Sequence, residues 1–134
     1  MSTQIFINLP VRDLAAAKAF YLALGYDINL NFSDDNAACI VISESIAVML
    51  LVHPFFRTFT TKDICDTGTH TEAILCLSAG SRDEVDAFIA RVLAAGGSEP
   101  MPAQDHGFMY GRSFKDLDGH HWEVMHMPAP PPAA

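Results

Sequence analysis

The feature that most constrains the fold of this chain is an internal repeat. In each half, a β-rich run is followed by a capped helix that ends at glycine, and then by further β-rich runs. The matching segments lie roughly 66 to 74 residues apart, and an internal duplication is the economical explanation. We therefore expect two βαβββ modules in tandem.

The first half shows the pattern through alternation and capping. A strand is predicted over 5–10, and the helix after it begins at the N-cap Asp13 and ends at Gly25. Alternating apolar residues predict a strand over 26–32. Two β-rich runs that predict a hairpin follow, 38–42 and 46–52.

The second half repeats this order. A strand is predicted over 71–78, and Ser81 with Glu84 fits a capping box that opens a helix ending at Gly96. A tight turn at 118–119 separates the last two predicted strands. The strands predicted after the helix are a short one around 98–101, a second at 108–114 and a third at 120–127.

Charge and composition limit the partners. The 134 residues carry a net charge of −8, which disfavours binding to nucleic acid and to anionic membrane surfaces. The three cysteines have no C-x-x-C spacing, and no apolar run reaches the roughly 18 residues of a membrane span. The start of the chain also lacks the features of an export signal, so we expect a cytoplasmic protein without disulfides.

The repeat also suggests how the chain is divided. We expect one domain over 1–127, with modules at roughly 4–52 and 71–127 and a linker at 53–70. The Pro- and Ala-rich tail, 128–134, is predicted to be disordered.

Two carboxylates stand alone in otherwise apolar segments. Glu72 precedes Ala-Ile-Leu-Cys-Leu, and Glu123 lies within His-His-Trp-Glu-Val-Met. A carboxylate removed from water needs a cation, a hydrogen-bond donor or a proton. Such residues therefore indicate a functional site more than scaffold.

Two motifs resemble the vicinal-oxygen-chelate superfamily, which includes glyoxalase I, bleomycin-resistance proteins and extradiol dioxygenases. The first is Asn-Leu-Pro-Val-Arg-Asp-Leu over 8–14, followed by Ala-Phe-Tyr and Leu-Gly, and the second is Asp-Leu-Asp-Gly-His-His-Trp-Glu over 116–123. The resemblance covers nearly all of residues 4–127. It implies an α+β fold in which the two βαβββ modules form curved mixed sheets around a shared cavity, with the helices outside. It also implies a homodimer.

The resemblance further implies a metal site. In the metal-dependent members, the first and last strands of each unit supply ligands to a divalent ion such as zinc, nickel, manganese or iron, and the ion chelates two neighbouring substrate oxygens. Carried onto this chain, those four positions are Phe6, Met49, Glu72 and Glu123. Phenylalanine has no donor atom and methionine offers only a soft thioether. Glu72 and Glu123 are thus the expected metal ligands, and Glu123 could instead be a catalytic general base.

Alternation along the strands predicts which residues share the site with these four. Asn8 accompanies Phe6, His53 accompanies Met49, and His121 accompanies Glu123. Tyr110 and Arg112, in a glycine-containing segment, could bind an anionic substrate. The predicted substrate-binding set therefore comprises Phe6, Asn8, Met49, His53, His121, Tyr110 and Arg112.

Two functions follow from the resemblance. The first is a lyase or isomerase resembling glyoxalase I, in which Glu123 moves a proton beside a chelated carbonyl. The alternative is a metal-free protein resembling the bleomycin-resistance branch, which sequesters an apolar or cationic small molecule. Phe6, Met49 and the negative net charge favour the alternative, because apolar side chains suit a pocket built for packing.

Overall fold

In the computed structural model of the protein, which describes residues 2–128, both long helices begin at the predicted caps. The Asp13 carboxylate accepts a hydrogen bond from the Ala16 N–H, and the Ser81 hydroxyl accepts one from the Glu84 N–H. Glu84 completes the second cap by accepting from the Gly80 N–H at 2.7 Å. The helices are Leu14–Ala23, here α1, and Arg82–Ala94, here α3.

The chain divides into two units: unit 1 ends at His70, and unit 2 begins at Thr71. The strands of unit 1 are β1 (Ile5–Val11), β2 (Asp27–Asn29), β3 (Ala37–Val41) and β4 (Ile46–Val52), and a short helix, α2 (His53–Phe56), follows them. The strands of unit 2 are β5 (Ile74–Ser78), β6 (Gln104–Asp105), β7 (Tyr110–Lys115) and β8 (His121–His126).

The two sheets have the same topology. Their strand orders are β1-β4-β3-β2 and β5-β8-β7-β6, and in each the first pair is parallel while the other pairs are antiparallel. The predicted α+β class and the two tandem βαβββ modules are therefore confirmed. No helix within residues 2–128 is long and apolar enough to cross a bilayer.

Each sheet has a helix-facing side and an open side. In unit 1, α1 packs on β2, β3 and β4, and the side chains beneath it are completely buried, as Ile40, Val48 and Leu50 show. In unit 2, α3 packs on β7 and β8, and Phe114 contacts both Phe88 and Trp122 there. Because side chains alternate along a strand, the intervening residues occupy the open sides.

Three strand predictions were wrong in extent. The strand predicted over 26–32 ends at Asn29, and a 3-10 turn takes Leu30–Phe32. The Asn29 side chain accepts a hydrogen bond from the Asn31 N–H, and the Ser33 hydroxyl donates to the Asn29 carbonyl. These local bonds compete with sheet pairing. Around 98–101 there is only a bridge between Ser98 and Lys115, and the segment 71–73 precedes β5 instead of belonging to it.

The strand predicted over 46–52 is confirmed, and the remaining strand boundaries differ by one or two residues. The strand predicted over 108–114 begins at Tyr110, and the last strand runs from His121 instead of His120. The turn before it is formed as predicted, with Gly119 at a positive φ of 81°. Cys39, Cys65 and Cys76 are all free thiols. The tail that was predicted to be disordered lies, after Pro128, outside the described residues.

Candidate functional site

Three of the predicted site residues share the open side of the unit 1 sheet. Asn8 pairs in register with Met49, and Phe6 lies two residues before Asn8 on the same side. Phe6 is 54% exposed, whereas Leu9 and Leu50 on the opposite side of these strands are buried. His53 does not follow the alternation from Met49, because β4 ends at Val52 and His53 begins α2.

A hollow of about 210 Å³ opens at Phe6. Its apolar wall includes Phe32, which the 3-10 turn after β2 brings to the hollow, together with Val41 and Ala47. Ser43 and Glu44, from the β3–β4 turn, supply polar atoms. Unit 1 therefore offers a mainly apolar surface for a ligand.

Glu123 lies at the centre of the open side of unit 2. It is flanked in register by Cys76 on β5 and by Ser113 on β7, so the three side chains form one row across the sheet. His121 shares this side with Glu123, as alternation predicted, and Met125 lies on the same side. Within residues 2–128, the Glu123 carboxylate makes no hydrogen bond or ion pair with another side chain.

Two buried polar atoms flank Glu123. Ser113 is only 5% exposed, and its Oγ has no hydrogen-bond partner among the residues that the structure describes. The same is true of His121 Nε2. Buried polar groups in folded proteins are nearly always paired, so these atoms are candidates for hydrogen bonds to a partner that the protein itself does not supply. Sequence reasoning missed Ser113, because one serine in a strand has no distinctive pattern.

A second hollow, of about 50 Å³, lies beside Glu123 and Ser113. Three methionines, Met101, Met109 and Met125, contribute to its wall. Gly111 lies at its edge, where an added Cβ would stand 3.6 Å from the Met125 Cβ and 3.9 Å from the Met109 Cε. The hollow thus combines flexible, polarisable thioethers with the Glu123 carboxylate and the Ser113 hydroxyl, and Gln104 and Arg112 also line it.

The Cys76 thiol is affected by the same carboxylate. Burial raises the pKa of Cys76 above its ordinary value, and the negative charge of Glu123 raises it further. A raised pKa leaves less of the nucleophilic thiolate at neutral pH. The row Cys76–Glu123–Ser113 is therefore not arranged to activate a cysteine nucleophile.

Glu72 lies apart from this row. It precedes β5, and one of its carboxylate oxygens lies 2.7 Å from Nδ1 of His120. His120 is 2% exposed, so the pair ties the segment before β5 to the turn between β7 and β8. The prediction that Glu72 begins a strand beside the metal was based on the wrong strand start.

The structural repeat identifies the true counterpart of Phe6. Phe6 stands seven residues before the N-cap Asp13, and Ile74 stands seven residues before the N-cap Ser81. Strand register gives the same answer, because Phe6 pairs with Ala47, two residues before Met49, and Ile74 pairs with His121, two residues before Glu123. The four equivalent positions are therefore Phe6, Met49, Ile74 and Glu123.

This donor set does not fit a divalent metal ion. Glu123 is the one hard ligand among the four, since phenylalanine and isoleucine have no donor atom and methionine is a soft ligand. In the part of the chain that the structure describes, no group of three His, Cys, Asp or Glu side chains is arranged to hold a metal.

Tyr110 and Arg112 lie on the other side of the unit 2 sheet from Glu123. They alternate with Ser113 along β7 and share the helix-facing side with Phe114. The Tyr110 hydroxyl donates to Asp86 at 2.6 Å, and Arg112 donates to both Glu99 oxygens at 2.8 Å.

Charge pairing in this network shifts several pKa values. Hydrogen bonding to Arg112 lowers the pKa of Glu99, and hydrogen bonding to Tyr110 and then Arg112 lowers that of Asp86. Hydrogen bonding to Asp86 raises the pKa of Tyr110. The side-chain polar groups of Tyr110 and Arg112 thus join β7 to α3 and to Glu99, and an anionic substrate would have to compete with these carboxylates.

Part of the chain matches a known protein family. A family model described as bleomycin resistance protein-like N-terminal matches residues 3–43. No protein in a search of curated sequences matches the chain.

Solved structures match over nearly the whole chain. The hypothetical protein SA1046 of S. aureus is 31% identical, with 94% of this chain and 95% of that chain covered and a TM-score of 0.81. A glyoxalase-related enzyme of Fulvimarina pelagi is 20% identical over 100% and 94% of the two chains, with a TM-score of 0.81. TnmS3, an antibiotic binding protein of Streptomyces sp. CB03234, is 20% identical over 95% and 97%, with a TM-score of 0.67. The chain therefore has the duplicated fold of these solved structures, and its residues 3–43 match the bleomycin resistance protein-like N-terminal family.

Proposed function

We propose that this protein binds a small organic molecule without the aid of a metal ion. The observation that carries the proposal is the set of residues at the four equivalent positions, Phe6, Met49, Ile74 and Glu123. Three of them offer apolar surface, and only Glu123 offers a hard oxygen donor. Such a set favours packing against an apolar ligand over coordination of a cation.

The hollows on the two open sheet sides support this proposal. The one in unit 1 has an aromatic wall formed by Phe6 and Phe32, and the one in unit 2 has a methionine wall. Aromatic and thioether side chains are typical of sites that accept apolar molecules of varied shape. The bleomycin resistance-like family model and the antibiotic-binding protein of the same fold make sequestration of such a molecule the favoured activity.

A thermal-shift screen with and without chelator tests the proposal. The full chain is treated with EDTA, dialysed and screened against a panel of apolar and cationic small molecules. A ligand that binds only the folded state raises the midpoint of unfolding by mass action. We expect hits whose shifts are equal in the presence and absence of EDTA. Hits that vanish in EDTA and return with a divalent ion would overturn the proposal.

Metal analysis provides an independent measurement. Protein purified without chelators and then exposed in turn to zinc, nickel, manganese and iron(II) is expected to retain far less than one ion per chain after desalting. The matched comparison is Glu123→Gln, which removes the one hard donor of the four positions. About one ion per chain in the parent and none in Glu123→Gln would favour the metal-dependent function.

A proton-transfer enzyme is a second candidate, which the half-buried position of Glu123 beside the Ser113 hydroxyl favours. A carboxylate not already committed to a side-chain partner can accept a proton from a bound substrate. The enzyme must convert one of the compounds that bind in the screen. Mass spectrometry of the product measures this turnover. Loss of turnover with retained binding in Glu123→Gln would support it.

The homodimer and the cytoplasmic location stay predictions.

A further inference from the structure

We infer that the hollow beside Glu123 and Ser113 is a subsite for a cationic N–H group, such as a protonated amine or amidine, on an otherwise apolar ligand. The inference rests on the proposed function and specifies the class of molecule that is bound. It is carried by three features of the open side of unit 2: a buried hydroxyl and a carboxylate that have no hydrogen-bond or ion-pair partner among residues 2–128, and a methionine wall.

The buried hydroxyl is Ser113 Oγ. Ser113 is one of the residues that line the hollow and is 95% buried, and no described residue donates to its Oγ or accepts from it. A hydroxyl can accept one N–H bond and still donate its own proton to a carboxylate. A ligand N–H group in the hollow would therefore donate a hydrogen bond to the Ser113 oxygen. The hydroxyl proton of Ser113 could then be donated to the Glu123 carboxylate.

The carboxylate is Glu123, which is paired in register with Ser113. Side chains directly opposite each other on one side of a sheet have their Cβ atoms roughly 4.5 to 5.5 Å apart, so a single small group can contact both. Lys115 shares this side but is paired with His121 and makes no ion pair with Glu123. The negative charge of Glu123 is thus available to a cation from outside, and it would repel an anion.

The wall suits the remainder of such a ligand. Met101, Met109 and Met125 present apolar, flexible surface next to the polar pair. The volume of about 50 Å³ accommodates a head group and not a whole drug-sized molecule, so an apolar body would extend beyond the hollow. The net charge of −8 favours the approach of a cation.

A matched pair of probes tests the inference on the full chain. Benzylammonium and benzyl alcohol have similar size and shape and differ in charge. Each is titrated into ¹⁵N-labelled protein, and the amide shifts of Gly111, Ser113, Glu123 and Met125 are followed. We expect benzylammonium to shift these four amides in a saturable way and to bind at least about tenfold more tightly than benzyl alcohol, since bonds to charged groups are the stronger ones.

Three variants connect that binding to the named groups. Glu123→Gln is expected to weaken benzylammonium binding about tenfold and to leave benzyl alcohol unchanged, while Ser113→Ala weakens benzylammonium about two- to fivefold. Gly111→Ala adds a methyl group to the hollow at ordinary contact distances, so the sheet is retained and both probes bind less well. Asp35→Asn, an exposed charge change in unit 1, is the control and should have no effect.

The outcomes separate this inference from the proposed function. Equal affinity for the two probes, or an unchanged affinity of Glu123→Gln for benzylammonium, would overturn the cation subsite while metal-free binding of apolar molecules still stands. Failure of benzylammonium to perturb the four amides would also overturn the subsite. Failure of the proposed function would instead appear as chelator-sensitive hits in the thermal-shift screen.

Discussion

Nδ1 of His120 lies 2.7 Å from a carboxylate oxygen of Glu72, with the imidazole almost completely buried. This contact joins the first residues of unit 2 to the turn between β7 and β8. The Asp116 carboxylate supports the same turn by accepting from the N–H groups of Asp118 and His120. Glu72 therefore has a structural contact that explains a lone carboxylate next to an apolar strand.

Replacement of Glu72 should destabilise unit 2. We expect Glu72→Gln to lower the free energy of unfolding by about 1–3 kcal/mol, because it weakens a bond to a buried imidazole. Fluorescence of Trp122, the one tryptophan of the chain, reports on urea unfolding. Glu44→Gln, which changes an exposed glutamate of unit 1, is the control. A loss no larger than that of the control would contradict this role.

Acid should weaken the network around Arg112. The pKa of Glu99 in the folded protein lies below its ordinary value of 4.5 because of Arg112, and that of Asp86 lies below 3.8 because of Tyr110 and Arg112. A carboxyl group with a lowered folded-state pKa stabilises the fold above its unfolded-state pKa, and this contribution is lost as the pH falls through the folded-state pKa.

Arg112→Gln tests that pH dependence. We expect the variant to be about 1–2 kcal/mol less stable than the parent near pH 7, because a bidentate, partly buried pair is lost. The difference should shrink as the pH falls below about 4, where the partner carboxyls take up protons. Urea unfolding at several pH values measures it, with Arg57→Gln, an exposed arginine, as the control. A difference independent of pH would argue for lost packing instead.

The aromatic stack under α3 should dominate the stability of unit 2. Phe114 is fully buried and lies between Phe88 and Trp122, with ring centroids 5.5 Å and 6.0 Å away. We expect Phe114→Ala to cost about 3–5 kcal/mol through lost burial and the cavity that remains. Phe108→Ala, at a ring that is 57% exposed, should stay within about 0.5 kcal/mol of the parent. Similar losses in both variants would show that the stack is not the core.

The Cys76 thiol should report on the charge of Glu123. Burial and then the Glu123 charge raise the pKa of this thiol, so Glu123→Gln should lower it and increase the thiolate fraction at pH 8. We expect alkylation of Cys76 by iodoacetamide to become about two- to threefold faster, measured by peptide mass spectrometry. Cys65 in the same samples is the internal reference. An unchanged ratio of the two rates would mean that Glu123 does not act on Cys76.

The sequence was sufficient to predict the duplicated architecture, because caps and periodicity are local properties. Asp13 and Ser81 begin helices through bonds to residues three positions ahead, which the sequence displays directly. The predicted strand after α1 was too long because alternation is also a local property. Apolar alternation continues through Leu30 and Phe32, whereas the side-chain hydrogen bonds at Asn29 and Ser33 end the strand pairing.

The site was harder to predict because it depends on register between distant strands. Alternation separates Arg112 from Ser113 on β7, but only the pairing of β7 with β8 shows that Ser113 accompanies Glu123. In the same way, alternation alone would place Glu72 and Ile74 on the same side of the strand. Only the first paired residue of β5 shows that Ile74 is the one equivalent to Phe6. His120 gave no indication of burial, since its contact partner lies 48 residues away in sequence.

The equivalence of Met49 and Glu123 gives the molecule an internal reference experiment. A double substitution, Met49→Glu with Glu123→Met, would move the one acidic side chain of the four equivalent positions from the unit 2 sheet to the unit 1 sheet. The composition, net charge and mass of the protein would stay constant. Any ligand preference that follows the transposed group belongs to that group alone, and any preference that stays behind belongs to the sheet that surrounds it.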